Sequence, residues 1–213
     1  MSATMGTRKR LWTRLSLAAA LSAAFATALA TFSAPVNAAN PPVEGQWSEP
    51  IQLGGVAIHA TLTHTGEILF FQYVEGKGGV DMTSYAATWD PETQTTTLAD
   101  LPYMRDLFCS AHVVLANGDV FVTGGHDHES PKKQDGRGVA NTDTWDPDTR
   151  AWTPRAPLSQ KRWYPTTVGL PSNSNLTFGG QEVAGVKVQT VDSYDPSTGT
   201  MTTLPASATT QVG

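Results

Sequence analysis

Apolar and polar residues alternate along most of this chain in bursts too short for a helix. "HATLTHTGEILFFQ" (59–72), "HVVLANGDVFVTGG" (112–125) and "TTVGLPSNSNLTFGG" (166–180) each read as a strand, a polar turn with Gly or Asn, and a second strand. A second turn follows each of them. "TWDPETQTTTLADLP" (88–102), "TWDPDTRAWTPRAPL" (144–158) and "SYDPSTGTMTTLPAS" (193–207) share an aromatic, Asp-Pro, a Thr two residues on, and a Thr-rich run closing on Leu-Pro or Ala-Pro. Proline fixes φ, and Asp and Thr side chains bond back to the backbone, so each copy predicts a hairpin.

The anchors Trp89, Trp145 and Tyr194 are 56 and 49 residues apart. Four short strands recur per unit with no helical period, which predicts an all-β fold, the β-propeller. A β-sandwich would not repeat one turn at this interval. The glycine pairs Gly124-Gly125 and Gly179-Gly180, followed by a spaced aromatic, give the repeat its kelch character. Blades are expected at about 45–102, 103–158 and 159–213. Three blades alone would leave raw sheet edges. The chain therefore reads as the N-terminal part of a longer protein, with seven blades expected in the whole, or as a truncated product.

Residues 1–38 carry a different pattern. Arg8, Lys9, Arg10 and Arg14 precede an uncharged Ala/Leu-rich stretch, and "VNA" at 36–38 offers a signal-peptidase site, so a cleaved leader and a secreted or periplasmic protein are expected. So much Ala, Ser and Thr makes a poor membrane anchor, and no membrane association is expected after cleavage. Four of the fourteen basic residues leave with that segment. Ten remain against nineteen acids, a net charge of −9, which argues against nucleic acid as a partner. One cysteine, Cys109, excludes an intrachain disulfide, so in an oxidising compartment its thiol must be shielded, joined to another chain or chemically used.

The repeat says where Cys109 sits. It lies 15 residues before Gly124, and Tyr164 lies 15 before Gly179, with the segments 109–124 and 164–179 aligning without a gap. Both residues are expected at the start of the innermost strand of adjacent blades, side by side near the propeller mouth. Val56 holds that slot in the first copy. A thiol and a phenol so placed suit a thioether-linked tyrosine, since sulfur bonded ortho to the hydroxyl lowers the oxidation potential of the ring.

"DLFCSAH" with "NGDVFVTGG", then "RWYPTT", resembles the copper-radical oxidases of the galactose oxidase and glyoxal oxidase kind. Only these short motifs are specific to that family; the rest of the likeness is at repeat level. The resemblance implies that Cys109 is the cross-linking thiol and Tyr164 the copper-bound radical tyrosine, both active only in the full-length protein. It implies copper and a Tyr-Cys radical cofactor, with a primary alcohol, aldehyde or sugar oxidised by O2 to give H2O2. Trp163 stands where galactose oxidase has a small residue, the glyoxal oxidase-like variant, and this favours aldehydes or small alcohols. The family also uses a Tyr-His pair and a later His, and 39–213 has no Tyr-His, so the fragment alone is not expected to hold catalytic copper.

Simpler readings stand beside these. Cys109 also fits a small buried hydrophobe, and Tyr164 a core aromatic. Arg162 fits either a group orienting a substrate oxygen or the partner of an acid such as Asp106, itself a turn cap. His126-Asp127-His128 looks like a chelator, but its Gly-rich polar surroundings predict a solvated loop. His112 is expected between blades, as are Trp47, Trp89, Trp145 and Trp152. The non-catalytic alternative for the whole is a secreted kelch-repeat module that binds carbohydrate or protein.

Overall fold

The computed structural model describes residues 45–74, 84–99, 101–102, 104–127 and 136–208. The expected leader and His128 lie outside these residues. The chain divides into two compact units, Met1–Ile51 and Gln52–Gly213. In the first, residues 45–51 are exposed and without strands, and Trp47 is 97% exposed, which corrects its expected packing role.

The second unit is built from four-stranded antiparallel sheets, as a β-propeller is. β1 (His59–Leu62), β2 (Ile68–Val74), β3 (Ser84–Asp90) and β4 (Thr95–Leu98) form the first sheet, in chain order. β5 (Ala111–Val114), β6 (Val120–Thr123), β7 (Thr142–Asp146) and β8 (Ala151–Pro154) form the second in the same way. The third joins β9 (Thr166–Gly169), β10 (Asn175–Phe178), β13 (Asp192–Asp195) and β14 (Thr200–Thr203). Between β10 and β13 the chain makes a small extra hairpin, β11 (Gln181–Val183) and β12 (Val186–Lys187).

One register repeats through the sheets. Ile68 faces Trp89, Val120 faces Trp145 and Asn175 faces Tyr194 across the middle strands. Middle strands are buried on both faces, as β6 shows along its whole length, while the outer β4 is exposed throughout. That layering follows from sheets stacked face to face. Val120 and Val122 of β6 pack toward the first sheet with Leu69, Phe71, Ala86, Trp145 and Trp152. Phe121, with its side chain on the other face, stacks on Tyr194 of the third sheet at 4.3 Å. The indole N–H of Trp152 donates to the carbonyl of Ala99 at 2.6 Å and ties two sheets together. Asn175, which opens an Asn-Leu-Thr sequence of the glycosylation type, is buried in β10 and out of reach of solvent.

The Asp-Pro turns close as their chemistry predicts. The Asp90 carboxylate accepts from the Glu92 N–H at 2.8 Å and the Thr93 hydroxyl at 2.7 Å, and Asp146 does the same with Asp148 and Thr149. The fifth residue of each turn is left-handed: Gln94 at φ 55°, Arg150 at φ 55° and Gly199 at φ 70°. Only the third copy places glycine there. Gln94→Gly is therefore expected to raise stability by about 0.5–1 kcal/mol, because relief of the left-handed cost exceeds the added chain entropy. Chemical denaturation measures this. Arg150→Gly is expected to do the opposite, since its guanidinium bonds Glu67 at 2.6 Å and the Thr88 hydroxyl on the first sheet.

Between the innermost strands of the first two sheets lies a histidine pair. His59 of β1 stacks on Phe71 at 5.0 Å and meets His112 of β5 edge-on at 5.7 Å. Burial, and then the neighbouring His112, pull His59 down to about 4, and burial lowers His112 as well. Unfolding restores both to the usual histidine range, so the unfolded chain binds more protons below pH 6.5 and stability falls as the pH drops. Relative to His59→Phe, the wild type is expected to lose about 2 kcal/mol between pH 6.5 and 4, after allowance for the ring's partial exposure. Asp106, raised to about 6 chiefly by burial, works in the reverse sense over the lower part of that window. Urea melts of both proteins across the pH range isolate the histidine term.

Candidate functional site

The stretches just before β5 and β9 share an unusual backbone. Cys109 and Tyr164 each stand two residues ahead of their strand, and both are left-handed, at φ 59° and φ 57°. For residues with a Cβ this costs roughly 1–2 kcal/mol each, so the surroundings must hold them there. One tie is direct. The Tyr164 N–H donates to the Cys109 carbonyl at 2.9 Å, bridging the second and third sheets. Val56, the matched residue of the first copy, is exposed and is not left-handed.

The glycine pair makes room for this arrangement. A side chain on Gly124 would place its Cβ 2.6 Å from the Arg162 carbonyl oxygen, and one on Gly125 would collide with the Asp106 carbonyl. Both glycines are also at positive φ. They thus let the chain before β5 and the chain before β9 close over the end of β6 from two sides.

Inside that closure the two side chains meet. Cys109 is 3% exposed, while Tyr164 keeps 54% of its surface open. A hydrogen bond with the thiol is the largest influence on the Tyr164 phenol and pushes its pKa up, with burial adding to it. Burial raises the Cys109 thiol, Tyr164 and Trp163 oppose this, and the Asp106 charge adds to the rise. Both groups are thereby held protonated, a buried S–H against an open phenol.

Trp163 lies across this pair. Its ring is 4.5 Å from that of Tyr164 at a 42° tilt, and 6.1 Å from the His126 ring. Any side chain on Gly136 would strike the indole. The indole N–H is near enough to the sulfur to favour thiolate, yet it is buried without an aligned acceptor. The backbone of Trp163 exchanges hydrogen bonds of 2.7 and 2.8 Å with Gln181 of β11.

Two expectations are corrected. Arg162 is not open at the site: it is fully buried, and its guanidinium donates to Asp192 at 2.9 Å, to the carbonyls of Gly179 and Thr190 at 2.8 Å and to the Thr190 hydroxyl at 3.0 Å. Its acid is Asp192, not Asp106. The second concerns His126, which is not in a solvated loop. Its Nδ1 stands 3.3 Å from the Asp106 carboxylate, and its backbone N–H donates to the Asp106 carbonyl at 3.1 Å. His112 packs between sheets, as expected. Spacing alone gave no hint of the Asp106–His126 contact, because the third copy has Lys161 and Gln181 in those places.

Among the described residues no group of three His, Cys, Asp or Glu side chains could hold a metal ion. Tyr164 supplies one phenolic oxygen at this place, so these residues fit the organic half of a copper-radical centre and not a complete copper site.

Fold and site together define a β-propeller chain whose adjacent blades present a paired thiol and phenol. In its sequence it is similar to galactose oxidase. Galactose oxidase of Gibberella zeae is 27% identical over 182 residues, which cover 82% of this chain and 25% of the relative, so the chain spans about a quarter of the length of the curated relatives it matches. A fungal alcohol oxidase of the AA5 family, solved in complex with copper, has the same fold at a TM-score of 0.58 and 19% identity, covering 74% of this chain and 32% of the other. No family model matches the chain.

Proposed function

We propose that this chain supplies the radical-bearing part of a secreted copper oxidase, with Cys109 and Tyr164 joined as a thioether. The observation that carries the reading is the paired left-handed backbone at 109 and 164, which brings thiol and phenol into contact. Forming the link removes the S–H hydrogen and one ring hydrogen ortho to the hydroxyl. O2 accepts the two electrons and two protons and leaves as H2O2. The product is a ring that loses an electron more readily than free tyrosine.

The overall reaction is oxidation of a primary alcohol to an aldehyde, or of a hydrated aldehyde to an acid, with O2 reduced to H2O2. Copper, with which the AA5 alcohol oxidase was solved, would supply one-electron chemistry to such a centre, with Tyr164 as one of the residues to hold it. The open face of Tyr164 is where substrate approaches, Trp163 borders it, and buried Cys109 stays out of solvent. Small alcohols and aldehydes suit a phenol flanked by an indole.

Intact mass and thiol alkylation of the full-length protein after exposure to copper and air test the link. The expected product is lighter by two hydrogen atoms and carries no alkylatable thiol. Unchanged mass with a freely alkylated Cys109 would overturn the proposal and leave a kelch-repeat binding module as the reading.

A further inference from the structure

Asp106 and His126 take no part in the chemistry above, yet they form a buried, charge-bearing contact a few residues from it. Asp106 is fixed from the first sheet. Its Oδ1 accepts from the Ser84 hydroxyl at 3.2 Å and from the Phe108 N–H at 3.0 Å, while the Ser84 oxygen accepts from the Leu107 N–H at 2.7 Å. His126 is held in turn against Asp106: its backbone N–H donates to the Asp106 carbonyl at 3.1 Å, and Nδ1 stands 3.3 Å from the carboxylate Oδ2 without an aligned hydrogen bond. What His126 presents on its other side is a ring against Trp163.

We propose that Asp106 and His126 are a positioning pair for Trp163, setting its indole against Tyr164 and so tuning the oxidation of a phenol that neither of them touches. This rests on Tyr164 and Cys109 forming the redox cofactor. The order of contacts runs from Ser84 at the start of β3, through Asp106 and His126, to Trp163 ahead of β9. Gly136 lies against the indole, and the Gln181 backbone holds that of Trp163. His126 and Gln181 are equivalent positions, each directly after a glycine pair, and both hold Trp163: one by its ring, the other by its backbone. An aromatic plane set over a phenol changes how well a positive hole on that ring is accommodated, so a small rotation of Trp163 alters the ease of its oxidation. Asp106 also acts on the Cys109 sulfur through its charge, which makes His126 the cleaner place to intervene.

The test uses His126→Ala, His126→Gln, Trp163→Phe and the His126→Ala/Trp163→Phe double variant. Acrylamide quenching of Trp163 emission is read on untreated protein, as the difference between each background and its Trp163→Phe counterpart. The one-electron potential of the Tyr164 phenol is read on copper- and air-treated full-length protein. His126→Ala is expected to raise quencher access to Trp163 and to shift the potential in the direction that Trp163→Phe does. The double variant is expected to shift it no further than Trp163→Phe alone, because both substitutions act through one ring. Gln, whose amide can keep a polar group beside the Asp106 carboxylate, is expected to stay near the wild type. Unchanged quencher access and potential in His126→Ala would overturn the proposal, as would shifts that add in full. If Cys109 remains alkylatable after treatment, the cofactor reading fails, and the quenching measurement still decides whether His126 holds Trp163.

Discussion

Serine in place of Cys109 is expected to leave a folded protein that never loses two hydrogens on treatment with copper and air. The hydroxyl fits the volume of the thiol and accepts the same left-handed backbone, so the contact with Tyr164 survives in a weaker form. Burying a hydroxyl in place of sulfur costs about 1–3 kcal/mol of stability. The chemical loss is larger. Without the thioether, Tyr164 is an ordinary phenol, and in the oxidase proposed here turnover is expected to fall on the order of a thousandfold, about 4 kcal/mol at the transition state. Intact mass reads the first effect and H2O2 production the second. A Cys109→Ser protein with wild-type turnover would detach the cysteine from the chemistry altogether.

Arg162→Met is expected to be the most destabilising single change near the site. The guanidinium and the Asp192 carboxylate are both fully buried, and removing one partner strands the other charge away from water. Among the described residues Asp192 would keep the Thr203 hydroxyl at 3.0 Å and a long contact from the Ser159 N–H at 3.4 Å. A loss of about 3–5 kcal/mol is expected in chemical denaturation. Lysine is not expected to rescue it, since one ammonium cannot reach Asp192, Gly179 and Thr190 at once as the planar fork does. Because Arg162 lies two residues before Tyr164, the same variant is expected to loosen the left-handed turn and slow the joining of Tyr164 to Cys109. Arg162→Met together with Asp192→Leu removes both charges and is expected to recover part of the stability.

The hairpins were legible because alternation and turn chemistry are local: each Asp-Pro turn carries its own acceptors, and each glycine pair marks where a neighbouring backbone passes. The juxtaposition of positions 109 and 164 was legible for a different reason, since equal distance from a glycine pair means equal place in a repeat. What could not be read depends on contacts between distant segments. Arg162 finds Asp192 thirty residues on, in a strand of its own sheet, and no spacing rule connects the two. His126 belongs to a polar, glycine-rich stretch, yet the turn of the chain at Gly124 and Gly125 lays it against Asp106. The left-handed backbone at Cys109 and Tyr164 was hidden as well, because neither residue type favours it. It is imposed by the hydrogen bond between them and by the closely packed backbone around the glycine pair.

The lid over the Cys109 sulfur comes from Trp163 and Tyr164, which a ribosome adds more than fifty residues later. Until those residues are in place the thiol lacks that cover and stands open to exchange with any small disulfide it meets. The covalent fate of this single sulfur is thus decided by a race between chain elongation and outside reagents.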